Sequence, residues 1–235
     1  MQLFYTTHTE DNFALLSEEE SAHCALVLRK KPGDVLHLVD GLGNWYEGPL
    51  VEVSKKQCRV AIQKTMEAYQ KRPFRLHIGL APTKQIDRTE WFLEKATEIG
   101  VDEITLLQCK RSERNNVRMD RLQKIVLSAM KQSLRAYLPK LNDLTPFKTF
   151  ATSAEAHACR FIAYMDESPQ QTLKENYPAG KDVYIAIGPE GDFTPEEVKV
   201  ALDCGFSGLN LGPHRLRTET AGIVACHAIN MINGL

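Results

Sequence analysis

Two loops near the C-terminal end of the chain carry residues suited to holding a small ligand. The first, which we call the GPEG loop (187–197), follows an apolar stretch that predicts a buried strand. Gly188 and Gly191 in this loop allow a close backbone approach or a positive φ. Thr194 as N-cap and Glu197 as its capping-box partner mark the start of a helix. Ligands of α/β sheets bind in such strand–helix loops, although a plain tight turn would explain the two glycines equally well.

The second, which we call the Arg217 loop (209–221), leads from a short apolar stretch into the last helix. Thr218 is predicted to be the N-cap, so Glu219 and Thr220 lie in the first turn, where free main-chain N–H groups point outward. Together with Arg217 they favour a functional site. Close packing of another element is indicated by three small residues, Ala221, Gly222 and Ala225.

A basic segment lies in the middle of a chain that is almost neutral. The whole chain has 29 Lys+Arg against 30 Asp+Glu and a net charge of −1, whereas residues 110–140 hold nine basic and two acidic residues. Helical spacing places four of these cations on one side of a helix: Arg121, Lys124, Lys131 and Arg135. A stripe with almost no acidic residue favours an anionic partner such as nucleic acid. The competing interpretation is an ordinary solvated helix face.

Composition argues against several classes of protein. No apolar run approaches the roughly 18 residues of a membrane helix, and residues 1–5 do not resemble a secretory signal. Six scattered cysteines without a C-x-x-C pair suit a reducing cytoplasm and disfavour a disulfide framework. The seven histidines form no metal-binding motif, so no metal is expected. No P-loop or dinucleotide-binding glycine motif is present.

The positions of turns and apolar runs predict two domains. Residues 1–70 are β-rich, with strands at 34–40, 45–53 and 58–63 and one helix at 18–28, which suggests a small barrel. Residues 73–235 alternate strands with helices, which predicts an α/β domain with a largely parallel sheet. Its predicted strands are 75–80, 103–107, 161–165, 183–187 and 209–211, and its predicted helices are 89–99, 117–135, 195–204 and 218–232.

Several motifs in a fixed order carry a family resemblance. In the first domain they are His23 with Val27–Arg29, Gly33–Asp34, and Asp40–Gly41 with Gly43. In the second they are Lys84, Lys95–Val101, Ser112–Arg114, Gln132–Ser133 with Arg135, Gly188–Gly191, and Leu211–Gly212 with Leu216–Ala221. In this order they resemble the SPOUT superfamily of S-adenosylmethionine-dependent RNA methyltransferases. Within it, the chain is most similar to the small-subunit ribosomal RNA methyltransferase E family, which modifies N3 of a uridine in 16S rRNA. The alternatives are another SPOUT methyltransferase acting on tRNA or rRNA, and a non-catalytic RNA-binding ribosome assembly factor.

The resemblance implies a PUA-like RNA-binding barrel followed by a SPOUT domain with a C-terminal trefoil knot. It also implies a homodimer, with the final helix at the interface, and 16S rRNA or the small ribosomal subunit as partner. The cofactor would be S-adenosylmethionine (SAM), held by Ile187, Gly188, Pro189, Glu190, Gly191, Leu211, Gly212, Leu216, Arg217, Thr218, Thr220 and Ala221.

The chemistry implied by the resemblance assigns roles to three charged residues. N3 of uracil is protonated at neutral pH, and an arginine can stabilise the anion left by deprotonation. Arg114 and Arg217 are the candidates for that role. Glu219 would accept a proton or orient an arginine, unless it only complements the helix dipole. Arg114 is expected to meet the target base or its phosphate, and the nearby Arg111 to be mostly a solvated charge.

Contact with RNA is predicted for five cations, namely Arg29, Arg121, Lys124, Lys131 and Arg135. The chain also departs from the usual pattern of the family it resembles. Asp192 stands where glycine is common, and Lys131, Leu134 and the Pro213–His214 pair also differ. These departures are expected to adjust substrate contact without disturbing the glycines that frame the cofactor.

Overall fold

The computed structural model describes residues 1–165 and 171–235, which form two compact units. The N-terminal unit consists of Met1–Lys71 and Leu127–Leu138. The C-terminal unit consists of Arg72–Val126 and Pro139–Leu235. Residues 127–138 group with the first unit, whereas the basic helix 117–135 was predicted to lie wholly in the α/β domain.

The N-terminal unit is built on a seven-stranded sheet. Its elements are β1 (Leu3–Tyr5), β2 (His8–Glu10), β3 (Phe13–Leu15), α1 (Glu18–Ala22) with a π-helical continuation (His23–Val27), β4 (Val35–Val39), β5 (Trp45–Glu52), β6 (Arg59–Ala61) and β7 (Lys64–Met66). The strand order is β1-β4-β5-β6-β3-β2, and β7 pairs with β5. β1 and β4 are parallel, whereas the other pairs are antiparallel. The structure therefore confirms a β-rich first segment with one early helix.

A separate apolar cluster explains why residues 127–138 belong to this unit. Met130 and Ala136 are buried in one cluster with Leu3 and Trp45. The same segment packs closely on the hairpin turn before β5. Gly43 there has φ +103°, and a Cβ on it would lie 2.3 Å from the Tyr137 ring. Only glycine suits this turn, since both the backbone angle and the space exclude a side chain.

The C-terminal unit is an α/β fold with a six-stranded sheet in the order β10-β9-β8-β12-β11-β13. Every strand pair in it is parallel, which confirms the predicted sheet type. Its elements are β8 (Leu76–Leu80), α2 (Ile86–Ile99), β9 (Glu103–Gln108), α3 (Met119–Gln132, shared with the N-terminal unit), β10 (Lys140–Pro146), α4 (Phe147–Ser153), β11 (Cys159–Ala163), α5 (Leu173–Asn176), β12 (Val183–Ile187), α6 (Pro195–Asp203), β13 (Ser207–Gly208) and α7 (Thr218–Ile232).

Most predicted elements of this unit are present, with shifted ends. The last short strand lies at Ser207–Gly208, so the prediction of 209–211 was wrong by two residues; Leu209 makes only an isolated bridge, to Gln171. β10, α4 and α5 were not predicted. Polar residues interrupt β10, which therefore lacks the continuous apolar run of the central strands. All five residues of β8 and of β12 are buried, as expected for strands covered on both faces.

The final helix packs very closely on the sheet and on α2. A Cβ added to Gly222 would lie 2.6 Å from the Phe92 ring and 2.7 Å from Leu80. Close packing was predicted here from the small residues, and Gly222 confirms it. At the other end of α7, the side-chain amide of Asn230 donates to the Gly100 carbonyl at 2.8 Å. The helix is thereby attached at two points, in its first half and near its C-terminal end.

His77 lies buried among aromatic rings inside the C-terminal unit. Its ring is 4.8 Å from the Tyr184 ring and 5.2 Å from the Phe150 ring, and Nε2 is 2.7 Å from the Thr105 hydroxyl. Burial lowers the pKa of His77 from 6.5 to about 4, although Glu103 opposes the shift. The histidine is therefore neutral in the folded protein at neutral pH.

His77 should make the protein sensitive to mild acid. In the unfolded chain His77 takes up a proton near pH 6.5, whereas in the folded protein it does so only near pH 4. The free energy of unfolding therefore decreases as the pH falls between these two values. We expect His77 to account for about 2 kcal/mol of lost unfolding free energy between pH 7 and pH 5. Urea denaturation of His77→Asn at both pH values should show a smaller loss than the parent. His227→Asn, at an exposed position, is the control, and an equal loss in parent and His77→Asn would contradict the assignment.

Candidate active site

A cavity of about 790 Å³ opens at the carboxyl edge of the parallel sheet. Its walls are the end of β11, the GPEG loop after β12 and the Arg217 loop before α7. All predicted cofactor residues except Gly191 and Thr220 line it: Ile187, Gly188, Pro189, Glu190, Leu211, Gly212, Leu216, Arg217, Thr218 and Ala221. The two loops therefore converge on one cavity, and its size lies in the range of small-molecule sites.

The start of α6 holds the GPEG loop in place. Thr194 and Glu197 form the predicted capping box, with the Thr194 amide donating to the Glu197 carboxylate at 2.9 Å. The same carboxylate accepts the Lys110 main-chain N–H at 2.8 Å, which attaches the segment after β9. Gly188 is needed for close approach, since a Cβ there would be 3.0 Å from the Phe193 ring. The residue with positive φ in this loop is Asp192, at +63°.

The Arg217 loop is joined to the GPEG loop by the first residue of α7. Thr218 was predicted to be the N-cap, but the N-cap is Arg217 and α7 begins at Thr218. The Thr218 hydroxyl instead donates to the Gly188 carbonyl at 3.0 Å. The threonine thus serves a tertiary contact that no local pattern reveals. Gly212 has φ +129° and open space around its Cβ position.

Arg217 and Glu219 occupy different positions relative to the cavity. Arg217 is exposed and lines it. Glu219 is only 8% exposed and is not among the lining residues. Its carboxylate lies 3.8 Å from the guanidinium of Arg88, which does line the cavity. The geometry therefore suits Glu219 to orienting an arginine.

Arg88 is a cavity residue that the sequence analysis missed. The helix containing it was predicted to begin at Thr89, whereas α2 begins at Ile86, so Arg88 lies in the first helical turn. No motif marks this position. Its link to Glu219 depends on the packing of α2 against α7, which only the tertiary structure provides.

Arg114 lies behind the cavity and does not line it. Its guanidinium donates to the Thr83 carbonyl at 3.0 Å and to the Lys84 carbonyl at 2.5 Å. The Lys84 amide in turn donates to the Glu190 carboxylate at 2.9 Å, and Glu190 is a lining residue. Arg114 therefore holds the segment after β8 against the GPEG loop. A hydrogen bond from Lys84 to Glu113 raises the pKa of Lys84, which is charged at neutral pH.

Arg111 is exposed, and its guanidinium also binds the GPEG loop, a contact that the sequence did not reveal. Its guanidinium donates to the Gly191 carbonyl at 2.9 Å and to the Phe193 carbonyl at 3.4 Å. A Cβ on Gly191 would lie 3.2 Å from the Arg111 Cβ. The close approach of this arginine explains the glycine, and Gly191 is not among the residues that line the cavity.

The basic stripe on α3 is partly neutralised by acids from other elements. Arg121 pairs with Glu90 at 2.7 Å, and Lys131 pairs with Glu20. Helical spacing could not show these partners, because they are distant in sequence. Lys124 is exposed on α3, Arg29 is exposed with φ +52°, and Arg135 is half-buried. Arg121 and Lys124 belong to the C-terminal unit, whereas Arg29, Lys131 and Arg135 belong to the N-terminal unit.

Two features bear on the expected absence of membrane and metal binding. Within residues 1–165 and 171–235, no helix is long and apolar enough to cross a membrane.

One trio of possible metal ligands lies close together in the C-terminal unit: Glu155, His157 and Asp182. Arg75 pairs with Glu155 at 3.4 Å and donates its main-chain N–H to Asp182 at 2.8 Å. These carboxylates are thus already engaged by protein donors.

Comparison with known proteins identifies both parts of the chain. Residues 16–63 match a family model described as an RNA methyltransferase PUA domain, and residues 70–230 match one described as an RNA methyltransferase domain. A ribosomal RNA small subunit methyltransferase E from Buchnera aphidicola is 29% identical, covering 95% of this chain and 90% of the relative. Relatives with the same name occur in Mycobacterium bovis and Bacillus subtilis, at 28% and 27% identity.

Solved structures agree over almost the whole chain. A probable rRNA-methyltransferase from Porphyromonas gingivalis has a TM-score of 0.93 and 41% identity, covering 100% of this chain and 99% of that one. A methyltransferase from Legionella pneumophila, solved with bound SAM, has a TM-score of 0.87 and 30% identity, covering 98% and 97%. A ribosomal RNA small subunit methyltransferase E from Neisseria gonorrhoeae, bound to SAM, has a TM-score of 0.86 and 27% identity, covering 99% and 98%.

These matches confirm the predicted fold class, a PUA-like N-terminal domain followed by an α/β methyltransferase domain; the trefoil knot stays a prediction. They also confirm the family resemblance drawn from the order of the motifs. The family model covers the unit that holds the cavity, and the related structures extend from end to end. This chain therefore belongs to the RNA methyltransferase family.

Proposed function

We propose that this chain transfers a methyl group from SAM to N3 of a uridine in the 16S rRNA of the small ribosomal subunit. The observation that carries the proposal is the cavity formed where the GPEG loop and the Arg217 loop converge. Two related structures with TM-scores of 0.87 and 0.86 contain SAM. Relatives over most of the chain are named for the small-subunit ribosomal RNA.

The residues of the cavity fit a nucleoside cofactor. Ile187, Leu211 and Leu216 offer apolar surface, while the surrounding loops offer main-chain donors and acceptors. Gly212 leaves open space beside the backbone, where any side chain would project. When bound, SAM supplies an electrophilic methyl group, so the main task of the protein is to position the two reactants.

The target nitrogen must lose its proton to solvent water before it can attack. The resulting uracil anion spreads onto the neighbouring carbonyl oxygens, and a fixed cation beside them lowers its free energy. We assign this role to Arg217, which lines the cavity and lies at the N-cap of α7. Glu219 then acts through Arg88, as their 3.8 Å separation and the burial of the carboxylate support.

RNA binding and homodimer formation are part of the proposal. The exposed cations Arg29 and Lys124 would meet the RNA backbone.

The homodimer interface would include α7 and α2. α7 exposes Met231 at 61%, and Trp91 on the adjacent α2 is 45% exposed. Exposed apolar side chains on two packed helices suit an interface with a second copy. A cytoplasmic location, where ribosomes are made, agrees with six free cysteines.

The direct test is methyl transfer to small subunits isolated from cells that lack this protein. Mass mapping of nucleosides should find 3-methyluridine in the 16S rRNA after incubation with the protein and SAM. Modification of tRNA or large subunits from the same cells, in parallel reactions, and not of the small subunits would favour another SPOUT methyltransferase. RNA binding without any transfer would favour an assembly factor.

Gly212→Trp should abolish SAM binding measured by calorimetry, because the indole would enter the cavity. Gly180→Trp is a matched control, since Gly180 also has a positive φ, +83°, and open space at its Cβ position, but does not line the cavity. The control should bind SAM as the parent does. Equal binding by both variants would place the cofactor elsewhere.

Arg217→Ala should lower the transfer rate at saturating SAM and RNA on the order of a hundredfold, as loss of one preorganised donor does, with SAM affinity nearly unchanged. Arg114→Ala should mainly weaken SAM binding, since Arg114 supports the cavity wall through Lys84 and Glu190. Single-turnover rates and calorimetry separate the two effects. A rate loss in Arg114→Ala with intact SAM affinity would transfer the anion-stabilising role to Arg114.

Lys124→Gln should flatten the salt dependence of RNA binding by roughly one counterion. Arg121→Gln, on the same helix, should flatten it less, because Glu90 already neutralises Arg121. Affinities measured by fluorescence anisotropy over a series of salt concentrations provide the slopes. An unchanged slope for Lys124→Gln would show that this cation does not meet the RNA backbone.

A further inference from the structure

Asp192 has a backbone conformation that glycine adopts more readily than aspartate. Its φ is +63°, in the left-handed region that favours glycine, and its amide closes a turn by donating to the Pro189 carbonyl at 2.9 Å. Glycine would take this conformation with less strain. An aspartate here therefore suggests that its side chain contributes something that glycine cannot.

The side chain joins the two strands that form one wall of the cavity. One carboxylate oxygen of Asp192 accepts the Met165 amide at 2.9 Å, and the other accepts the Phe193 amide at 2.8 Å. The β11–β12 ladder ends at the pair Ala163 and Ile187. The carboxylate therefore bridges the two chain segments just beyond the point where main-chain pairing ends.

Both ends of this bridge face the cavity. Met165 and Asp192 are lining residues, and Met165 is 68% exposed. Without the carboxylate, the Met165 amide would lose its acceptor, and the segment after β11 could move away from the GPEG loop. This contact therefore fixes the distance between Met165 and the GPEG loop, and with it the width of the opening.

We propose that Asp192 is a positioning residue for the cofactor: it holds the segment after β11 against the GPEG loop at the spacing that SAM requires. The inference rests on the proposed function, because it concerns the same cavity. It adds a residue outside the set predicted to contact SAM, and it explains the departure from glycine at this position.

The test compares Asp192→Gly, Asp192→Asn and Asp192→Ala in the full-length chain. Asparagine tolerates a positive φ and keeps an acceptor oxygen; glycine keeps the backbone but loses the acceptor; alanine loses both. Unfolding stability without ligand should be near the parent for asparagine and glycine and lowest for alanine. SAM affinity should instead be near the parent for asparagine and about tenfold weaker for glycine and alanine. A general structural role would give the same order in both measurements.

Asp11→Gly is the matched control, since Asp11 also has a positive φ, +47°, but lies in the N-terminal unit. It should leave SAM affinity unchanged. Amide exchange at Met165 should accelerate in Asp192→Gly and not in Asp11→Gly. Parent-like SAM affinity in Asp192→Gly would overturn the proposal. It would also be overturned if Asp192→Asn bound SAM as weakly as Asp192→Gly, because that result would indicate a direct need for the negative charge. Failure of the parent itself to bind SAM would refute the proposed function instead.

Discussion

The hydrogen bond from the Thr218 hydroxyl to the Gly188 carbonyl joins the two loops that make the cavity. This 3.0 Å contact requires the start of α7 to approach the end of β12. The approach is possible because Gly222, one turn further along α7, has no side chain where the Phe92 ring and Leu80 lie. Any larger residue at position 222 would push the helix outward and separate the loops. A packing constraint in the core thus determines whether the site exists.

Around this contact, charged side chains act mainly through main-chain groups. Arg111 binds the carbonyls of Gly191 and Phe193, and Arg114 binds those of Thr83 and Lys84. A guanidinium offers several donors in a fixed plane and can therefore hold two carbonyls at once. In the folded chain these two arginines hold irregular loops in one conformation. Arg217 and Arg88 are the arginines among the lining residues that extend from helix starts toward the cavity.

The basic segment has fewer unpaired cations in the folded chain than its sequence indicates. Along the helix it resembles an uninterrupted nucleic-acid surface. Glu90 and Glu20 pair with two of its cations, and an ion pair leaves less charge for a phosphate. The segment also divides between the two units at residues 126 and 127, and its apolar side contributes Met130 to the core of the first. One helix thus supplies packing to one unit and exposed charge to the other.

The sequence by itself determined the features that depend on local order. Capping chemistry located the start of α6, apolar runs located the central parallel strands, and the order of the motifs identified the family and the two loops. The partners of side chains that are distant in sequence required the tertiary structure. Local patterns could not show that Thr218 reaches Gly188, that Arg88 meets Glu219, or that residues 127–138 join the first unit. The physical reason is that hydrogen bonds and packing join atoms close in space, whereas propensity and periodicity report only on neighbours along the chain.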